Sequence, residues 1–110
     1  MLKDKIILIT GAASGLGKAW AENFHKEGAV VFACDVNEEG LRDLDNIGVN
    51  TRVTDVSVAQ EVSSFIDYAI QTSGRVDVLF NNAGMGFGHK MDSFPDGSFE
   101  HHVAVHLFGA

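Results

Sequence analysis

Apolar residues fall along this chain in short, separated groups whose spacing changes from one group to the next. Ile6-Ile7-Leu8-Ile9 is continuously apolar and rich in β-branched side chains, the pattern of a strand covered on both faces in a parallel sheet. Leu16, Ala19, Trp20, Asn23 and Phe24 recur at three- and four-residue intervals, which predicts an amphipathic helix with Gly28 as its stop. Residues Ala29–Cys34 are a second buried-strand run, closed by Asp35. Asn37 caps a short helix with Glu38 and Glu39 in its first turn, a reading that Gly40 weakens. Val49–Val53 is a third, shorter strand. Ser57-Val58-Ala59-Gln60 matches a capping box, and the helix behind it carries the stripe Val58, Val62, Phe65, Ile66, Ala69 and Ile70 before Gly74 ends it. Val76–Phe80 is a fourth strand that runs into Asn81-Asn82-Ala83-Gly84, and a last helix is expected from Ser98 onward, still running at Ala110.

Strands alternating with helices imply right-handed crossovers and a parallel sheet with helices on both faces. The expected fold is therefore α/β, a doubly wound parallel sheet of Rossmann type, ending after the fourth strand and the helix that follows it. With 110 residues, of which 45% are hydrophobic, the chain makes one domain with a packed core. A formal net charge of −7 argues against a nucleic-acid surface, which needs clustered Lys and Arg. Any anion bound here must be held by local geometry. The single cysteine, Cys34, has no internal disulfide partner, sits inside a strand and reads as a small core residue. No segment has the length of a signal h-region or a membrane span, so a cytoplasmic protein without a membrane partner is expected.

The stretch Thr10-Gly11-Ala12-Ala13-Ser14-Gly15-Leu16-Gly17 packs small residues where a strand hands over to a helix. A helix starting there points unpaired N–H groups at the strand's carboxyl end, and these attract anions. The helix dipole contributes only about 0.3–1 kcal/mol, so the backbone itself must touch the ligand at several points. Gly11 permits the tight turn, Gly15 lets the backbone come close, and Gly17 lets the helix pack on the sheet; the expected guest is a pyrophosphate. A dinucleotide site of this type also has an acid about 20 residues further on, at the end of the next strand, and Asp35 stands there. A carboxylate accepting a ribose hydroxyl is worth about 1.5–3 kcal/mol. A 2′-phosphate in the same place would meet like charge, at a cost of up to about 4 kcal/mol at 4 Å near a protein surface. Ser14 and Val36 supply no compensating positive charge, so NAD is expected over NADP.

Taken together, "TGAASGLG" at Thr10–Gly17, Asp35, Asp55-Val56 and "NNAG" at Asn81–Gly84 resemble the short-chain dehydrogenase/reductase family. The resemblance covers essentially the whole chain. It implies an NAD(H)-dependent oxidoreductase that transfers hydride between the nicotinamide and an alcohol or carbonyl substrate, and a homo-oligomer in full-length form. It further implies that Asp55 meets the adenine amino group and Val56 flanks the ring. Asn82, Ala83 and Gly84 would line the ribose, and Asn81 would tie neighbouring strands together. The residues expected to hold the cofactor are thus Gly11, Ser14, Gly15, Leu16, Gly17, Asp35, Asp55, Val56, Asn82, Ala83 and Gly84.

Two departures from the family pattern stand out. The family's serine and Tyr-x-x-x-Lys follow its fourth helix and have no counterpart in these 110 residues; Tyr68 is followed four positions later by Thr72. The chain is therefore expected to be the front half of a dehydrogenase, inactive alone, with its fourth strand a bare sheet edge. His106 stands where the family commonly has an asparagine that holds a proton-relay water, and is the candidate for a catalytic role. A histidine here is also similar to the hydroxyacyl-CoA dehydrogenase part of multifunctional β-oxidation enzymes. His102 and His106 would lie one helical turn apart, a spacing that can grip a metal, but no HExxH motif or third ligand accompanies them and no metal is expected. Met85, Phe87, Met91 and Phe94 either line a substrate mouth or pin a loop to the body. The alternative to an enzyme is a non-catalytic NAD(H)-sensing module.

Overall fold

The computed structural model describes residues 2–82 and the backbone of residues 104–107. In chain order the elements are β1 (Ile6–Thr10), α1 (Gly15–Lys26), β2 (Val30–Asp35), α2 (Glu38–Asn46), β3 (Asn50–Val53), α3 (Ala59–Ser73), β4 (Val78–Asn81) and β5 (Ala104–Leu107). They form a sheet in the order β3-β2-β1-β4-β5. The first four strands are parallel, with Leu8 of β1 level with Phe32 of β2 and Leu79 of β4. The chain winds outward from β1 to β3, then crosses back to place β4 on the other side of β1. This is the doubly wound arrangement expected, and the direction reverses between β1 and β4.

The unbroken apolar run of β1 follows from having both faces covered. Ile6 and Leu8 point to one side, where they join Phe32, Cys34 and Leu79 against Val62, Phe65 and Ala69 of α3. Ile7 and Ile9 point to the other, where they join Val31 and Ala33 against Ala21 of α1 and Leu41 and Leu44 of α2. Trp20 and Phe24 of α1 extend that second core over β4, each ring centroid 5.1 Å from that of Phe80. At the amino end of the sheet the Asp77 carboxylate accepts from the Ile6 N–H at 2.8 Å and from Arg75 Nε at 3.1 Å. Arg75 in turn donates to the Asp4 carbonyl at 3.1 Å, so one arginine and one aspartate fasten the start of β1 to the start of β4. No helix among the described residues is long and apolar enough to cross a membrane.

Two local expectations are corrected. Residues 104–107 are not helical: they form β5, antiparallel to β4 with Phe80 opposite Val105, so β4 is not a bare edge. Val103, Val105 and Leu107 alternate with Ala104 and His106, and a run this short fits period two as well as period 3.6. Pairing also satisfies the open N–H and C=O groups of β4, which a helix would leave exposed. The capping box fails as well. The N-cap of α3 is Val58, with no side-chain cap bond. Ser57 instead turns back to Asp55, its hydroxyl 2.6 Å and its N–H 2.9 Å from Asp55 Oδ1. The charged carboxylate two residues upstream engages the hydroxyl as a donor, and no helix N–H is accepted by it.

Phe65 is fully buried between α3 and the sheet. Phe65→Ala is expected to cost about 3–5 kcal/mol of unfolding free energy, measured by urea denaturation. The Ile6 N–H, and after it Arg75, hold the Asp77 carboxyl below its ordinary range. A folded-state pKa below the unfolded one contributes stability above the unfolded pKa and loses it as pH falls through the folded one. Stability should therefore drop below about pH 4. Asp77→Asn should flatten that acid limb in thermal melts recorded against pH.

Candidate functional site

Strand carboxyl ends, where ligands of open parallel sheets bind, converge here on the segment between β1 and α1. Gly11 and Gly15 have φ angles of 65° and 60°, a region that side-chain-bearing residues rarely adopt. A Cβ at Gly15 would meet nothing within 4 Å, so this glycine shapes the backbone and leaves open space in front of α1. Gly17 serves the opposite purpose. A Cβ there would collide with the Gly11 carbonyl oxygen and lie 2.8 Å from Asn82 Nδ2. Asn82 itself donates to that Gly11 carbonyl at 3.2 Å, bridging the β1 and β4 ends across the point where the winding reverses.

The N-termini of α1 and α2 at this end of the sheet are treated differently. In α2 the Asn37 side chain accepts the Gly40 N–H at 3.1 Å, and Glu38 and Glu39 complement the dipole. In α1 the N-cap Ser14 makes no side-chain cap bond and the first turn contains no acid. The N–H groups of that turn lack intrahelical acceptors by construction, and no carboxylate competes for them. This donor set suits an anion.

Asp35, at the end of β2, holds this loop in place. Its Oδ2 accepts the Ala13 N–H at 3.0 Å and its Oδ1 accepts the Asn37 N–H, also at 3.0 Å. The Ala12 N–H donates to the Cys34 carbonyl at 3.1 Å beside them. Gly11, Asp35, Val36, Thr54, Asp55 and Val56 line one cleft of about 90 Å³. Val36 is 63% exposed and Leu16 52%, which places two apolar surfaces at the site's rim. A larger hollow of about 280 Å³ opens beside β4 between Leu8, Ile66, Ile70 and Leu79. It has none of these donors and carboxylates and lies on the α3 face, so volume does not mark the candidate site.

Asp55 begins the turn from β3 to α3. The Ser57 hydroxyl, and after it the Ser57 N–H, hold its carboxyl below the ordinary range. Its own N–H donates to Glu61 Oε1 at 2.8 Å. Thr10 Oγ1 donates to Asn81 Oδ1 at 2.8 Å in the buried interior, so Asn81 ties β1 to β4 as expected. Cys34 is also as expected: burial pushes its thiol up to about 12, far from a nucleophile's range.

The structure therefore gathers Gly11, Ser14, Gly15, Leu16, Gly17, Asp35, Asp55, Val56 and Asn82 around one end of the sheet. Ala83, Gly84 and His102, together with Met85, Phe87, Met91 and Phe94, lie outside the described residues. His106 is on β5, of which only the backbone is described. Sequence reasoning missed Ala13, whose N–H meets Asp35, and the purpose of Gly40. A Cβ at Gly40 would lie 2.7 Å from both the Ala13 Cβ and its carbonyl oxygen. The glycine that weakened the α2 reading is what lets α2 approach the loop, and a glycine inside a helical pattern was the available signal.

A short chain dehydrogenase family model matches residues 5–110. Levodione reductase from Leifsonia aquatica is 36% identical over 115 residues, an alignment that covers 96% of this chain and 43% of the relative. A crystal structure of levodione reductase superposes with a TM-score of 0.71 at 36% identity, over 76% of this chain and 36% of that one. The 3-ketoacyl-(acyl-carrier-protein) reductase from Brucella melitensis complexed with NADH gives 0.68 at 34% identity, covering 72% and 34%. An actinorhodin polyketide ketoreductase with NADPH gives 0.67 at 40% identity, covering 74% and 33%. The chain thus spans less than half the length of the relatives it matches. With the glycine-rich turn, Asp35, Asp55 and Asn82 all brought to one crevice, the chain belongs to the short-chain dehydrogenase family.

Proposed function

We propose that this chain is the cofactor-binding portion of an oxidoreductase that uses NAD(H) and passes hydride between the nicotinamide and an alcohol or carbonyl carbon. The observation that carries the reading is the Asp35 carboxylate, fixed by the Ala13 and Asn37 N–H groups beside an uncapped helix N-terminus. The backbone of residues 14–17 would hold the diphosphate. Asp35 would accept from the adenosine ribose, using lone pairs that its two backbone partners leave over. Asp55 and Val56 would meet the adenine, and Asn82, Ala83 and Gly84 the second ribose. The bound nicotinamide supplies the hydride chemistry.

NAD is favoured over NADP by charge. A 2′-phosphate beside Asp35 would also approach Glu38 and Glu39 in the first turn of α2. Relatives of this fold include both an NADH and an NADPH complex, so the preference rests on this chain's own carboxylates. His106 is proposed as the group that takes the place of a relay asparagine in the proton path. The substrate class is a small alcohol or carbonyl compound.

Calorimetry on the full-length protein should show saturable NADH binding, and NADH oxidation with a carbonyl substrate should separate an enzyme from a sensing module. No saturation with NADH on folded protein would overturn the reading. Asp35→Asn should weaken NADH about tenfold or more, the cost of a charge-assisted hydrogen bond, and narrow the gap to NADPH. Gly17→Ala should lower NADH affinity and also cost about 1–3 kcal/mol of stability, because the added methyl displaces the Gly11 carbonyl and Asn82 together.

A further inference from the structure

At the β3–α3 turn, Asp55 Oδ1 takes two hydrogen bonds from one residue, the Ser57 N–H at 2.9 Å and the Ser57 hydroxyl at 2.6 Å. Among the described residues, Oδ2 of the same carboxylate receives no hydrogen bond. The Asp55 backbone is fixed separately, through its N–H and Glu61 Oε1 at 2.8 Å. Asp55 lines the cleft that Asp35 and Val56 also line. A carboxylate gripped on one oxygen by two donors cannot rotate without breaking both, so its other oxygen keeps a fixed direction.

We infer that Ser57 is a positioning residue: by engaging only Oδ1 of Asp55, it presents Oδ2 as a pure acceptor and makes the cleft selective for a 6-aminopurine over a 6-oxopurine. The inference rests on the proposed placing of adenine against Asp55 and deepens it. An adenine amino group donates to such an oxygen, whereas the 6-oxo group of hypoxanthine sets oxygen against oxygen. Ser57 acts through Asp55 and need not touch the purine. Its exposed position means that truncation to alanine removes the hydroxyl contact, and leaves the N–H contact, without opening a core cavity.

The test compares binding of NADH with that of reduced nicotinamide hypoxanthine dinucleotide, by calorimetry on the full-length protein. Wild type should prefer NADH. Ser57→Ala should shrink that preference about tenfold, the scale of one charge-assisted contact, while Ser57→Thr, which keeps the hydroxyl, should restore it. Asp55→Asn gives a second, independent readout. With Ser57 present, the amide oxygen stays on the serine and the amide N–H₂ faces the purine, so preference should invert toward the 6-oxo dinucleotide. In Asp55→Asn/Ser57→Ala only the residue-57 N–H still holds the amide oxygen, so the inverted preference should shrink. Equal weakening of both dinucleotides by Ser57→Ala, or inversion that is undiminished in the double variant, would make Ser57 merely structural and overturn the inference. Wild-type binding of both dinucleotides with no preference would overturn it while leaving the cofactor reading intact; wild-type binding of neither would remove both.

Discussion

The site depends on one carboxylate accepting two backbone N–H groups. Asp35 closes β2 and reaches both ways along the crevice, to Ala13 in the glycine-rich loop and to Asn37 at the start of α2. It joins the Ala12–Cys34 and Asn82–Gly11 bonds in holding the loop between β1 and α1, and alone among them ties that loop to α2. The loop's glycines give it freedom, and its helix N-terminus has no side-chain cap. In the proposed cofactor complex the same residue would supply the negative charge that sorts ribose hydroxyl from ribose phosphate. On that proposal, holding the loop and discriminating the sugar would be one job physically, because a carboxylate fixed by two donors is both an anchor and an oriented acceptor.

The core explains why that carboxylate stands where it does. β2 is buried from Val31 to Cys34, and its side chains alternate between the α3 face and the α1/α2 face. A shift of one residue would exchange the two sets and turn Asp35 away from the loop. The register between β1 and β2, Leu8 with Phe32 and Thr10 with Cys34, is therefore also the register of the site. At the opposite end of the sheet, Asp77 and Arg75 fasten β4 to β1 and so place Asn82 within reach of the Gly11 carbonyl.

Much of this was legible in the chain. Ile6–Ile9 and the residues before Asp35 announce buried parallel strands because both faces need apolar cover. The glycines mark a loop because only they tolerate its backbone and its close approaches. Three features were not legible, each for its own reason. Residues 104–107 pair with β4, a partner distant in sequence, and a run that short satisfies either periodicity. Ser57 matches a helix cap by spacing, but its hydroxyl donates to Asp55 and caps nothing. Ala13 presents no side-chain chemistry at all, since its contribution is a backbone N–H. Residues whose role lies in their main chain leave no mark beyond their small size.

Gly40 and Ala13 touch with no room to spare. Anything larger at either position would drive α2 off the loop and drag the Asn37 end of the Asp35 clamp with it. Helix and loop are in effect one wall, built at two places in the chain but free to vary only in concert. Any redesign of this crevice for a bulkier or differently charged ligand must move that wall as a piece, because exchanging the carboxylate alone would loosen the very surface meant to receive it.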